Sequence, residues 1–207
     1  IDFADQKKAQ RLVEAELARA QALAEEISGQ EQLSQLEIFY DLRSVDENFV
    51  TSAVDLAGQE AVFLDRGQKR VLKLDLVNQE TQVIALSDLT VVKDLELLAN
   101  QLTILGAGIF RQDLATASAF LDQPTEIIAE GDSNQAATLV ETFASYVYVL
   151  NPEKRDIYRY VEREEGFSDP IGWVSGAAGF DYNQVSSWAI DGDIWVATRE
   201  GGLHRLA

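Results

Sequence analysis

The sequence predicts an all-β fold, a β-propeller with at least four blades, preceded by an N-terminal amphipathic helix. Beyond Gln30, apolar and polar residues alternate, and a unit of strand, turn, strand, tight loop and strand recurs four times. Aligning the second strands of these units brings into register four apolar residues, 41, 44 and 47 residues apart: Phe63, Ile104, Tyr148 and Trp195. Repeats of about 40 to 50 residues with about four strands each are typical of propeller blades. A sandwich of short hairpins is the alternative, but it does not require the same internal order four times.

Residues 1–29 are predicted to form the helix. Small and apolar side chains recur there at steps of three and four, with charged side chains opposite. The stripe consists of Ala9, Val13, Leu17, Ala20, Ala24 and Ile27. Because it is rich in alanine, we expect the helix to pack on another helix; a partly solvated stalk is the alternative. Residues 30–50 are predicted to be a linker with one strand, in the stretch LEIFYDLRSV at 36–45.

The blades are predicted at residues 51–87, 95–121, 138–174 and 185–207. The last one ends before a fourth strand can form, and an unpaired strand edge promotes aggregation. Either residues 37–43 pair with residues 202–206 and close a four-bladed ring, or further blades belong to the intact protein. We expect the second arrangement, because a four-bladed ring is narrow, and no backbone ladder between the two segments. Since the sequence begins at Ile1 and contains no Met, we also expect that an upstream segment has been removed.

Composition limits the partners. The chain has 17 basic and 35 acidic residues and a formal net charge of -18, so it would be repelled by nucleic acid and by an anionic membrane surface. It has no cysteine, which excludes disulfides and thiolate metal sites. Charge therefore favours protein, sugar or small-molecule partners.

Two stretches carry a resemblance to known propellers. AVFLDRGQKRVLKLDL at 61–76 resembles the blades of NHL-type propellers, and WVATREGGLHRL at 195–206 resembles the blade motif of two-component-regulator propellers. As a whole, the chain is similar to uncharacterised bacterial proteins with an N-terminal membrane anchor, a helical segment and a propeller of about six blades. The resemblance therefore implies about six blades in the intact protein. Some relatives of those proteins occur beside PPM-type phosphatase domains. The resemblance implies an extracytoplasmic location, with membrane association only through a segment absent from this chain.

No catalytic constellation is visible in the sequence. His204 is the only histidine, and no nucleophile with an orienting partner lies near it. Asp191 and Asp193 flank Gly192, and an Asp-Gly pair between two strands predicts a hairpin turn. The spacing of a calcium-binding loop is absent there. The glycine-rich stretches GAG and GWVSGAAG lack the helix that a phosphate-binding loop requires. We therefore predict no catalytic residues, no metal site and no cofactor.

The candidate binding residues lie in loops. In a propeller, the loops after each second strand and the connections between blades gather on one face. Basic residues there are largely cancelled by acidic ones, so the sequence supports only a local basic spot at Arg66, Lys69 and Arg70. Aromatic side chains concentrate in the last third of the chain, where Trp173 and Tyr182 are predicted to be the exposed pair that could anchor a protein or sugar.

Three functions remain open. The first is a non-catalytic binding or scaffolding module that takes a protein or carbohydrate ligand on the loop face. The second is a propeller enzyme of the lactonase or quinoprotein type, which requires carboxylates around a central metal. Its candidates on the predicted first strands are Asp55, Glu96, Glu141 and Asp191. The third is a sensor input domain that signals through the helix to a phosphatase or kinase.

Overall fold

The computed structural model describes residues 13, 14, 16, 17, 19, 37–86, 88–114, 124–174 and 179–206. The chain divides into two units, Ile1–Asp41 and Leu42–Ala207. Residues 13, 14, 16, 17 and 19 of the predicted helix are helical, and the rest of that helix lies outside the described residues and stays a prediction. No helix in the described ranges is long and apolar enough to cross a membrane.

The second unit consists of four antiparallel sheets, the blades, and the prediction of an all-β propeller is confirmed. Blade one contains β1 (Ala53–Ala57), β2 (Glu60–Asp65), β3 (Arg70–Asp75) and β4 (Thr81–Ala85). Blade two contains β5 (Asp94–Leu98), β6 (Gln101–Leu105), β7 (Ile109–Asp113) and β8 (Thr125–Ile128). Blade three contains β9 (Leu139–Phe143), β10 (Tyr146–Asn151) and β11 (Asp156–Arg163), with the short β12 (Gly166–Phe167) and β13 (Ile171–Gly172) both beside β11. Blade four contains β14 (Val185–Ile190), β15 (Ile194–Thr198) and β16 (Leu203–Leu206).

The first hairpin of each blade sets the position of its inner strand. In blades one to three, two residues join the first and second strands, and the first of the two has a positive φ: +61° at Gly58, +52° at Ala99 and +54° at Ala144. Such turns match the right-handed twist of the paired strands. The three inner strands β1, β5 and β9 therefore end at equivalent points.

Three buried apolar clusters lie between successive blades. Val62, Leu64 and Val71 of blade one pack with Leu95, Leu97 and Ile104 of blade two. Leu105 and Ile109 of blade two pack with Val140, Val147 and Val149 of blade three. Tyr148, Leu150 and Ile157 of blade three pack with Trp188, Ile194 and Val196 of blade four. Each large apolar side chain buried there stabilises the fold by about 1.5 to 3 kcal/mol. Between blades four and one, the described residues form no such cluster.

The strand predicted over residues 36–45 is wrong for the part that the structure describes. Residues 37–50 contain no strand, and Leu42–Ser44 is a 3-10 turn. Just after it, the Asp46 carboxylate pairs with the guanidinium of Arg70 on β3 at 2.7 Å. Residues 42–50 are therefore anchored to blade one by this ion pair, and they contain no strand that could form a backbone ladder with it.

Two strand boundaries bear on the predicted blades. In blade two, β8 lies beyond the predicted range 95–121. In blade four, β16 pairs with β15 alone among the described strands. Blade four therefore has three strands in this part of the chain.

Candidate functional site

The inner strands surround a central cavity of about 830 Å³. Residues of β1, β5, β9 and β14 line it, so all four blades contribute. Its opening is formed by turns after second strands, which supply Arg66, Pro152 and Arg199, and by connections between blades. This face is called the loop face below.

Four carboxyl side chains line this cavity: Asp55, Asp94, Glu96 and Glu141. Asp55, Glu96 and Glu141 each lie two residues before the end of their inner strand. These three also line a second cavity, of about 730 Å³, next to the first hairpin turns. They therefore lie between the two cavities.

Two of the carboxylates bridge from one blade to the next, and a third faces the next blade. Asp55 Oδ2 accepts a hydrogen bond from the backbone N–H of Leu97 at 2.5 Å, and Asp94 Oδ2 accepts one from Val140 at 3.0 Å. The N–H of Ile190 in blade four faces the Glu141 carboxylate and favours its charged form. The two blade-to-blade hydrogen bonds give Asp55 and Asp94 a structural role in the fold.

The carboxyl groups share protons at neutral pH. Burial, followed by the charges of Glu141 and Asp55, raises the pKa of Glu96 to about 10. Burial and the charge of Asp55 raise the pKa of Glu141 to about 7, and burial raises the pKa of Asp94 to about 7. Because these groups are buried and close to one another, the folded chain retains protons that the same groups release in water. At neutral pH the cavity therefore presents both hydrogen-bond donors and acceptors.

Basic side chains lie at the cavity mouth. Arg66, Lys93 and Arg199 line the cavity on the loop face. The Arg66 guanidinium donates to the Lys93 carbonyl oxygen, and Lys93 Nζ donates to the Gln135 carbonyl oxygen at 2.7 Å. Burial lowers the pKa of Lys93. The cavity is thus acidic at depth and basic at its rim.

The predicted basic spot does not form as a unit. Of its members, only Arg66 lines the cavity. The Arg70 guanidinium donates to Asp65 Oδ2 at 2.9 and 3.0 Å and to Asp46 Oδ2 at 2.7 Å. Lys69 is half-buried in the turn before β3, with a φ of +47°. Because two carboxylates neutralise Arg70, its contacts are structural, and the binding role of the three residues stays a prediction.

The predicted exposed aromatic pair is separated. Trp173 is 44% exposed, and the Arg159 guanidinium lies 4.2 Å from the centre of its ring. It is not among the residues that line the central cavity. The expectation that Tyr182 is exposed is wrong, since only 2% of it is accessible. A 3-10 turn at Tyr182–Gln184, capped by Asp181, turns its ring into the core between blades three and four.

Two buried side chains carry hydrogen-bond donors: Tyr182, which the sequence named but placed on the surface, and Trp188, which sequence reasoning missed. Tyr182 and Trp188 both line the central cavity, and Trp188 is only 8% exposed. In the part of the chain that the structure describes, the phenol Oη and the indole Nε1 have no hydrogen-bond partner. No sequence signal singled out Trp188, because an aromatic residue on an inner strand is ordinarily part of the core.

The enzyme alternative requires carboxylates of the inner strands around one metal ion. Asp55, Glu96 and Glu141 line the same cavity, and Asp55 also accepts the backbone N–H of Leu97. Asp191, the fourth candidate, is in the hairpin after β14, where it accepts from the Trp195 indole at 3.1 Å. Among the described residues, no three histidine, cysteine, aspartate or glutamate side chains are arranged to hold one ion.

Four antiparallel blades around a central cavity make this chain a β-propeller. No family model matches the sequence, and no curated protein matches it. The solved structure of the computationally designed Ika4 protein is similar, with a TM-score of 0.51 and 10% identity, over 83% of this chain and 98% of Ika4. PorZ, a bacterial surface component of the type-IX secretion system of Porphyromonas gingivalis, also gives a TM-score of 0.51, with 13% identity over 80% of this chain and 22% of PorZ.

The extracellular domain of the two-component system BT4673 from B. thetaiotaomicron gives a TM-score of 0.47 and 12% identity, over 76% of this chain and 20% of that one. At these identities, the likeness concerns the fold alone. This chain spans nearly the whole length of Ika4 and about a fifth of the two natural proteins.

Proposed function

We propose that this chain is a binding module that takes a small ligand into its central cavity from the loop face. The observation that carries the proposal is the cavity itself, to which all four inner strands contribute. Its volume of about 830 Å³ falls in the range of pockets that hold small molecules, roughly 300 to 1,000 Å³. Buried polar groups in such a pocket fix the orientation of the ligand.

We further propose that the module acts outside the cytoplasm. The resemblance to anchored bacterial propeller proteins and the description of PorZ as a surface component support this location. A scaffolding role, in which a protein binds to the loop face, would use the rim residues Arg66, Lys93 and Arg199. A sensor role would signal through residues 1–29, most of which lie outside the described residues.

Thermal unfolding with a blocked cavity tests the proposal. Ser187 is exposed and lines the cavity, so Ser187→Trp should fill part of it. Ser145 is exposed in the turn between β9 and β10, and Ser145→Trp is the matched control. A ligand that binds only the folded state raises Tm by mass action.

A set of saccharides, polyamines and organic acids should contain a compound that raises Tm of the wild type and of Ser145→Trp. The same compound should have no effect on Ser187→Trp. If every active compound stabilises Ser187→Trp equally, the cavity is not the binding site.

A further inference from the structure

We propose that the outer edge of blade four is a docking site for an extended peptide of a partner protein, which adds to β16 as a fourth strand. Blades one and two each have a fourth strand, β4 and β8, antiparallel to the third. In blade four, β16 pairs only with β15 among the described strands. Since Leu203, His204 and Arg205 are not among the residues that line the central cavity, this edge is separate from the proposed ligand cavity.

The backbone groups that β16 presents at this edge follow from its pairing with β15. In an antiparallel pair, residues that exchange hydrogen bonds with the partner strand alternate with residues whose N–H and C=O point away from it. The carbonyl oxygen of Gly202 accepts from the N–H of Thr198 at 2.9 Å, and the two strands continue in the same register. His204 therefore bonds to β15, while Leu203 and Arg205 direct their N–H and C=O groups toward the edge.

The edge of β16 lacks two of the devices that keep other strands away. β16 contains neither a proline nor a bulge, and both commonly protect exposed sheet edges. Leu203 is 69% exposed, and the charge of Arg205 is paired with Asp193 at 2.5 Å. Residues 37–43, the partner strand considered from the sequence, contain no strand. In the described part of the chain, the edge is therefore open to a strand from another protein.

Blade one contains the same kind of edge with its fourth strand in place. Asp75 donates its N–H to the carbonyl oxygen of Glu80 at 2.9 Å where β3 and β4 begin to pair. By the same alternation, Lys73 and Val71 are the residues of β3 that bond to β4. Like the outward pair of β16, they are an apolar residue followed two positions later by a basic one.

The side chains opposite this pair define the chemistry of the peptide. On β4, Ile84 lies opposite Val71 and Gln82 lies opposite Lys73. The peptide for β16 should therefore carry a β-branched apolar residue opposite Leu203 and, two residues earlier, a hydrogen-bond acceptor opposite the guanidinium. The strands β4, TQVIA, and β8, TEII, both have this order. In such strand addition, backbone hydrogen bonds supply affinity and alternate side chains supply specificity.

The experiment measures binding of a labelled peptide to the full chain by fluorescence anisotropy. The probe is ETQVIAL, residues 80–86 of this chain, with fluorescein at its N-terminus. Two further probes are N-methylated on one backbone nitrogen: at Ile84, whose N–H would point to β16, and at Val83, whose N–H would point away. Arg205→Pro removes one outward N–H of β16, and Arg205→Ala is the matched control that keeps it. Circular dichroism establishes that each variant is folded.

We expect saturable binding of the unmodified peptide. N-methylation at Ile84 and Arg205→Pro should each weaken it about tenfold, because one hydrogen bond of the added strand is lost. N-methylation at Val83 and Arg205→Ala should change it by at most about threefold. In hydrogen–deuterium exchange, the amides of Leu203 and Arg205 should exchange rapidly in the free chain and slowly with peptide, whereas that of His204 should be slow in both.

Three results would overturn the proposal: no saturable binding, equal binding to the wild type and to Arg205→Pro, or equal effects of the two N-methyl groups. The N-methylated probes use the wild type alone, so they decide the question even if Arg205→Pro does not fold. Slow exchange of the Leu203 and Arg205 amides in the free chain would also overturn it, because a segment of the chain itself would then cover the edge.

Discussion

Replacing Glu96 by glutamine should remove most of the pH dependence of stability above pH 7. The pKa of Glu96 is raised from its usual 4.5 to about 10, so between these values the folded state keeps a proton that the unfolded state releases. The contribution of Glu96 to the free energy of unfolding is therefore fully present below about pH 4.5. It is lost as the pH rises from there to about 10. Each extra proton bound by the folded state lowers the free energy of unfolding by about 1.4 kcal/mol per pH unit.

The interval from pH 7 to pH 9 separates Glu96 from the other two buried carboxyl groups. Asp94 and Glu141 have pKa values of about 7, so they contribute mainly below it. Over these two pH units the wild type should lose about 3 kcal/mol. Glu96→Gln should lose little, since its amide replaces the neutral carboxyl group.

Urea unfolding at pH 5, 7 and 9, followed by tryptophan fluorescence, measures these free energies. Glu153→Gln is the matched control, because it removes one carboxylate from an exposed turn and should keep the slope of the wild type. Equal slopes for the wild type and Glu96→Gln, or a wild type that becomes more stable from pH 7 to 9, would refute the reasoning.

Three further predictions concern the metal alternative and two contacts of the blades. Calcium should not change Tm of the wild type, because among the described residues no three histidine, cysteine, aspartate or glutamate side chains are arranged to hold one ion; a calcium-dependent rise in a thermal scan would instead favour the enzyme alternative. Arg70→Met should lower the free energy of unfolding in urea by about 3 kcal/mol, because it leaves Asp65, which is 2% exposed, without its charged partner and with the backbone N–H of Gln68 as its remaining donor; a loss below about 1 kcal/mol, typical of a surface pair, would contradict this. Gly108→Ala should cost about 1 to 3 kcal/mol in the same assay, because its Cβ would lie 2.6 Å from the carbonyl oxygen of Ile128; unchanged stability would mean that β8 moves freely.

The blade repeat was predictable because strand alternation and hairpin turns are local signals. The same signals placed Asp55, Glu96 and Glu141 on inner strands, and the structure brings all three to the central cavity. Asp94 was missed as a member of this group. The predicted blade two begins one residue later, at residue 95, whereas β5 begins at Asp94 and turns its carboxylate toward blade three.

Register was less predictable, because it depends on pairing between strands. The sequence aligned Tyr148 with Phe63 and Ile104. In the structure Tyr148 lies opposite Glu141, which is two residues before the end of the inner strand β9. Phe63 lies opposite Val54, which is three residues before the end of the inner strand β1. An offset of one residue moves a side chain to the opposite face of the sheet. Periodicity alone cannot detect such an offset.

The burial of Tyr182 depended on tertiary structure. A short irregular stretch between blades reads as an exposed loop, but the 3-10 turn at Tyr182–Gln184 places the ring in an apolar cluster. Nothing in the local sequence distinguishes the two situations. The burial of Tyr182 could therefore be found only in the folded chain.

The most direct test of the central claim, that ligand occupies the cavity between the inner strands, is protection of a single cysteine from alkylation. The chain has no cysteine, so Ser187→Cys places a unique thiol in the cavity wall, and Glu164→Cys places one in the exposed turn after β11. The rate of iodoacetamide labelling is measured by mass spectrometry with and without the compound that raises Tm most. We predict that the compound slows labelling at least tenfold for Ser187→Cys and leaves Glu164→Cys unchanged. Equal labelling of Ser187→Cys with and without a compound that still raises Tm of this variant would contradict the claim.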